Sequence, residues 1–255
     1  MGMLQRDDGV GIYYETHGQG PVILLTHGYS ATSQMWQGQI DSLAKTYKLI
    51  LWDMRGHGQS DAPEDESLYS EEKTVGDIAA LLDAEDVQSA VIGGLSLGGY
   101  MTLAFRRAHP ARAKALLIID TGPGFKSDEA REGWNAYARK TAARFEEEGL
   151  APLAEMSKEM AMSKHRSALG LARAGRNMLT QKDARIINSL PEITQPSLVI
   201  VGAEDKPFLN ATDYMAAKIP GAQKIVVPKA GHAVNIDQPA AFNKAVLDFL
   251  APLKL

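Results

Sequence analysis

The run Val91-Ile92-Gly93-Gly94-Leu95-Ser96-Leu97-Gly98-Gly99-Tyr100 constrains this chain more than any other segment. One serine stands among small and apolar residues, with a glycine two positions before it and another two after. The β-branched stretch Ala90-Val91-Ile92 precedes it, and residues 100–108 read as a helix that ends near His109-Pro110. Strand, serine turn, helix is the setting of a nucleophile elbow. The turn is so sharp that side chains at the flanking positions would clash, which accounts for the glycines. It lifts the Ser96 hydroxyl clear of the backbone at the start of the next helix. Free N–H groups and the positive end of the helix dipole there favour developing negative charge. The expected chemistry is acyl transfer.

The rest of the chain shows a rhythm that suits such an elbow. Strands are expected over 10–15, 22–26, 47–52, 115–119, 197–201 and 223–227. Helices are expected over 34–45, 68–82 (with Ser70 as N-cap) and 240–250. Alternating strands and helices point to an α/β fold with a mostly parallel sheet covered by helices on both faces. The alternation lapses after about residue 121. Residues 131–148, 150–162, 166–177 and 183–190 are helical in composition, and the strand pattern resumes at Ser197. The expected organisation is a core of 1–121 and 191–255 interrupted by a helical cap over 122–190. Ligands of open parallel sheets bind beyond the carboxyl ends of the strands, so an insertion at that point would roof the site.

Composition narrows the function classes. A chain of 255 residues with 45% hydrophobic and 23% charged residues suits one well-buried core or two small ones. A net charge of -4 and the lack of a Lys/Arg cluster argue against a nucleic-acid partner. Without cysteine there is no disulfide, thiol nucleophile or zinc–thiolate site. No signal-peptide stretch opens the chain and no apolar run reaches bilayer length, so a cytoplasmic protein without membrane contact is expected. The sequence carries no metal-binding His-Glu-x-x-His spacing, phosphate loop or dinucleotide-binding glycine pattern, so no cofactor and no metal are expected. A small-molecule substrate is the expected partner, and a monomer or small homo-oligomer is the expected state.

A serine nucleophile needs a base, and the base needs an orienting acid. Of six histidines, His17, His109 and His165 read as loop or surface residues, with Lys164-His165-Arg166 taken as exposed. His232 is the best base. It lies in Pro228-Lys229-Ala230-Gly231-His232-Ala233, directly after the last strand-like segment. For the acid, Gly202-Ala203-Glu204-Asp205 follows the strand ending at Val201; Asp205 is preferred and Glu204 is the runner-up. The chain order is then serine, acid, histidine, as on this type of sheet. Two N–H groups are expected to hold the oxyanion: Leu97, next to the nucleophile, and Tyr29, in the loop His27-Gly28-Tyr29 after the 22–26 strand. His27 is read as a brace for that loop.

These residues resemble the α/β-hydrolase fold family, in its small, cap-bearing branch of serine hydrolases and esterases. The resemblance covers nearly the whole chain. It rests on His27-Gly28, Asp53-Met54-Arg55-Gly56-His57-Gly58-Gln59-Ser60, Gly94-Leu95-Ser96-Leu97-Gly98, Gly202-Ala203-Glu204-Asp205 and Gly231-His232. It implies a triad of Ser96, Asp205 and His232, and gives Arg55 and His57 only structural roles. Haloalkane dehalogenases and most epoxide hydrolases carry aspartate at the nucleophile position, so the resemblance argues against both activities. It implies hydrolysis of a carboxylic ester or lactone of a small apolar substrate. The alternatives are a carbon–carbon bond hydrolase, a cofactor-free perhydrolase or a non-catalytic ligand-sensing receptor. In the cap, Phe125, Trp134, Tyr137, Phe145 and several methionines suit core packing and pocket lining alike. Tyr29, Trp134 and Tyr137 are the expected substrate contacts.

Overall fold

The structure is a computed structural model and describes residues 2–255; the first residue of the expected core lies outside them. Two strands open the chain, β1 (Gly2–Gln5) and β2 (Gly11–His17). Then follow β3 (Val22–Thr26), α1 (Gln37–Leu43), β4 (Lys48–Trp52), α2 (Glu71–Ala84), β5 (Ala90–Leu95), α3 (Leu97–Ala108) and β6 (Ala113–Ile119). A helical stretch comes next, with α4 (Asp128–Glu148), α5 (Lys158–Ala161), α6 (Ala168–Ala174) and α7 (Arg185–Ser189). The chain closes with β7 (Ser197–Gly202), α8 (Lys206–Lys218), β8 (Gln223–Val227), α9 (Val234–Asp237) and α10 (Pro239–Leu250).

The strands form one sheet in the order β1-β2-β4-β3-β5-β6-β7-β8. β1–β2 and β2–β4 pair antiparallel, and every other pair is parallel. The α/β fold class is as expected. Burial explains why the central strands are apolar without a break. In β3 all five residues are buried, with Ile23 and Leu25 in one core layer and Leu24 in the other. A strand covered on both faces has no polar side. The order changes direction at β3, which lies between β4 and β5, and the crevice beyond the carboxyl ends opens at this point.

Local chemistry sets the element ends. The Ser70 hydroxyl accepts from the Lys73 N–H at 3.1 Å and starts α2, so the helix begins three residues later than the expected 68. Ser127 caps α4 and Ser167 caps α6 in the same way. The helix expected over 150–162 is broken. Pro152 sits in a 3₁₀ turn, Ala151–Glu155, and Ser157 precedes the single turn of α5. The helix expected over 166–177 becomes α6 and a wider turn, Gly175–Leu179. A buried ion pair ties the segment after β4 to α2. Arg55 Nε and Nη2 donate to Asp77 at 2.6 and 2.7 Å, and Arg55 Nη1 donates to Asp8 at 2.8 Å. This gives Arg55 the structural position expected of it.

Candidate active site

Ser96 joins β5 to α3 with φ +55° and ψ −117°, a conformation that a residue with a side chain holds only when its surroundings enforce it. Here the enforcement is visible. The Ser96 N–H donates to Ile119 O at 2.9 Å, and its carbonyl accepts from the Thr121 hydroxyl at 2.6 Å. A Cβ on Gly98 would fall 2.3 Å from Thr26 O, and one on Gly94 would fall 2.3 Å from the carbonyl carbon of Gly98. Helix and strand approach so closely that only glycine fits, as the sequence spacing implied.

Asp205 follows β7 and His232 follows β8, on adjacent strands. Asp205 Oδ2 and His232 Nδ1 are 2.8 Å apart. A carboxylate only accepts, so Nδ1 carries the proton and Nε2 keeps its lone pair. Backbone bonds from Ala203 N to Val227 O and from Glu204 N to Ala230 O, each 2.8 Å, hold the two loops together. The side chain of Asp205 is 5% exposed and Glu204 lies at the surface, so it is Asp205 and not its neighbour that meets the imidazole. The imidazole stacks on Phe208 at 5.0 Å. Burial opposes a charged ring, but the bond and charge of Asp205, with Asp120 and Glu159 adding, prevail and raise His232 above 6.5.

Ser96, Asp205 and His232 line one open cavity of 920 Å³ with Tyr29, Trp134 and Tyr137. Within it the Ser96 hydroxyl and the His232 ring are not hydrogen-bonded to each other. Such contacts often tighten only around a substrate. Among the described residues, neither the Tyr29 N–H nor the Leu97 N–H donates to another group. His27 braces the Tyr29 loop. Its Nδ1–H donates to Gly28 O at 2.7 Å and its Nε2 accepts from the Met54 N–H at 2.9 Å. Complete burial pushes its pKa down to about 4, so it stays neutral. Among the described residues no His/Cys/Asp/Glu group has the arrangement to hold a metal ion, and no helix is long and apolar enough to cross a membrane.

One reading of the sequence needs correction. His165 is not a surface residue. Its Nδ1 accepts from the Gly58 N–H and its Nε2–H donates to Ser30 O, both at 3.0 Å, and its ring meets His57 edge-on at 5.8 Å. Phe145 is core, 1% exposed and edge-on to Tyr29. Trp134 and Tyr137 do line the cavity, although Tyr137 is 57% exposed.

The sequence reading passed over Asp120. This residue is buried, and its carboxylate accepts from Gly202 N at 2.8 Å and from Val234 N at 3.1 Å. It therefore positions the loops that carry Asp205 and His232. Its signal was available: a lone carboxylate directly after an apolar strand, at the carboxyl edge where the other two were sought.

A family model described as the alpha/beta hydrolase fold matches residues 21–239. The chain belongs to the α/β-hydrolase fold family. Relatives within this family carry several activities. The chain is 28% identical over 275 residues to the putative 2-succinyl-6-hydroxy-2,4-cyclohexadiene-1-carboxylate synthase of Bacillus subtilis, covering 99% of this chain and 100% of that protein. It is 30% identical to 3-oxoadipate enol-lactonase 2 of Acinetobacter baylyi, with 93% and 92% covered. Among solved α/β-hydrolase structures, a thermophilic esterase from Thermogutta terrifontis with malate bound matches with a TM-score of 0.86 at 28% identity, covering 98% of this chain and 97% of that one.

Proposed function

We propose that this α/β-hydrolase cleaves a carboxylic ester or lactone of a small, largely apolar substrate through an acyl-enzyme on Ser96. One observation carries the reading: the 2.8 Å bond between Asp205 and His232 fixes the histidine tautomer in the cavity that Ser96 also lines. His232 Nε2 takes the Ser96 proton as Oγ attacks the carbonyl carbon. The tetrahedral oxyanion lies against the Tyr29 and Leu97 N–H groups, and losing one such donor costs about 100- to 1,000-fold in rate. As the intermediate collapses, the alkoxide leaves with the proton from His232. Water then gives a proton to His232 as it attacks the acyl carbonyl, and the second intermediate collapses with that proton passing from His232 to Ser96 Oγ, which releases the acid and restores the free enzyme. In this reading residues 122–190 form the cap, and Tyr29, Trp134 and Tyr137 contact the substrate.

Hydrolysis of p-nitrophenyl butanoate tests the proposal. Ser96→Ala abolishes turnover and leaves the circular-dichroism melt in place. A serine-directed organophosphonate labels the wild type and not the variant. Full activity in Ser96→Ala removes the assignment.

A further inference from the structure

The segment between β6 and β7 carries a buried carboxylate that the mechanism above does not use. Glu159, in α5, is 1% exposed. Its Oε1 accepts from the Ser157 hydroxyl, while its Oε2 is buried with no hydrogen-bond partner among the described residues. The neighbouring Lys158 does not neutralise it, because that side chain pairs with Asp237. A buried carboxylate without a cation beside it is costly. Such a group is retained at little net cost where a positive charge appears next to it when the protein works.

Polar contacts fix α5 between the two loops of the site. On one side Lys158 Nζ pairs with Asp237 Oδ1 at 2.5 Å, and Asp237 Oδ2 accepts at 2.9 Å from the N–H of Gly231, the residue before His232. On the other side the Ser163 hydroxyl donates to Glu159 O at 2.6 Å and accepts from the Thr32 hydroxyl at 3.4 Å. Thr32 lies in the loop that follows Tyr29. Met156, Ser157 and Met160 line the open cavity together with His232. Glu159 sits within this stretch, near enough for its charge to act on the His232 ring. Three carboxylates bear on that ring: Asp205 after β7, Asp120 after β6 and Glu159 in α5.

We propose that Glu159 is a positioning residue for the imidazolium form of His232, a second carboxylate that steadies the ring while it holds the Ser96 proton. The inference rests on the ester-hydrolase reading. In the resting enzyme the base is neutral, and Glu159 gains nothing from it. When the Ser96 proton reaches Nε2 the ring becomes cationic, and the buried carboxylate acquires its partner at that moment. An interaction stronger in the transition state than in the ground state raises kcat rather than substrate affinity. Asp205 fixes the tautomer through a hydrogen bond, whereas Glu159 contributes charge alone, so its share is the smaller one. A change of about half to one pH unit in His232 corresponds to about 3- to 10-fold in rate.

Two variants test this. Glu159→Gln keeps the shape and removes the charge, and Glu159→Met fills the space without polar atoms. For each, kcat and KM for p-nitrophenyl butanoate are measured across the pH range, and the His232 ring is titrated by the NMR signal of its C2 proton, assigned with His232→Asn. Both variants should lose about 3- to 10-fold in kcat, with KM within about twofold of wild type. The kinetic and NMR midpoints should both move to lower pH, because the carboxylate that favours the charged ring is gone. A residue that only packs would change the thermal melt and leave the midpoints where they are. Either variant decides if the other does not fold. Midpoints that stay in place in a folded variant overturn the inference and leave the hydrolase reading intact. So does failure of both variants to fold while Ser96→Ala folds, since the carboxylate then serves the fold. If the wild type cleaves no ester above the level of Ser96→Ala, the hydrolase reading falls, and this inference with it.

Discussion

Replacing Asp205 with asparagine keeps the shape of the side chain and removes its charge. Asp205 is 5% exposed and makes a 2.8 Å bond to His232 Nδ1. During acyl transfer His232 becomes an imidazolium, and in the variant that charge faces a neutral partner in a buried place. Removing one member of a buried ion pair costs about 3–5 kcal/mol, or roughly 10²- to 10⁴-fold in rate at about 1.36 kcal/mol per decade. The upper end applies where the new amide turns its NH₂ toward Nδ1. Nε2 then carries the proton and cannot accept from Ser96. The pH profile provides an independent readout. Asp205 raises the His232 pKa above 6.5, and the base works only when neutral, so wild-type kcat/KM should rise with pH through a midpoint above 6.5. In Asp205→Asn that midpoint should move to lower pH. The assay is kcat/KM for p-nitrophenyl butanoate across the pH range, with Glu204→Gln as a control on the exposed neighbour. A loss below about tenfold, or a rising limb that stays in place, would refute an ion-paired acid–base couple here.

Two further expectations follow from packing and burial. Gly98→Ala places a methyl group 2.3 Å from Thr26 O, a backbone atom that cannot turn aside. Stability should fall by about 1–3 kcal/mol in denaturant titration, and ester turnover should fall with it because the elbow must shift. The second concerns His27 and His165, both pushed down by burial to about 4 from 6.5. The unfolded chain takes up these protons first as acid is added. Their contribution to stability is therefore whole above 6.5 and is lost as the pH falls from 6.5 toward 4. The melting temperature should drop across that window, less so in His165→Asn; equal slopes for wild type and variant would count against the assignment.

Elements buried on both sides were legible in the sequence almost to the residue. The strand expected at 22–26 is β3 with the same bounds, and that expected at 197–201 is β7 with one residue more, because apolar runs between turn residues admit few other readings. β1 was not foreseen. It is an edge strand with alternate residues exposed, it pairs only with β2, and its four residues carry no pattern of their own. Ser96, Asp205 and His232 could be read as a set because each lies in the turn or loop that follows a parallel strand, so topology brings them to one edge. His165 could not be read in this way, because its partners are set by the fold. Its charged neighbours in sequence say nothing of the Ser30 and Gly58 backbone that it joins.

The Asp120 carboxylate receives N–H groups from both Gly202 and Val234. The proton-handling couple is thereby moored to the sheet. The opposite side of the site is moored to the segment between β6 and β7, since the Tyr29 hydroxyl donates to Leu171 O and His165 grips Ser30 O. The same segment reaches the histidine loop as well: Lys158 pairs with Asp237, whose other oxygen accepts from the Gly231 N–H. A chimera in which a foreign sequence replaces that segment should therefore shift both the range of carbonyl compounds accepted and the pH midpoint of turnover.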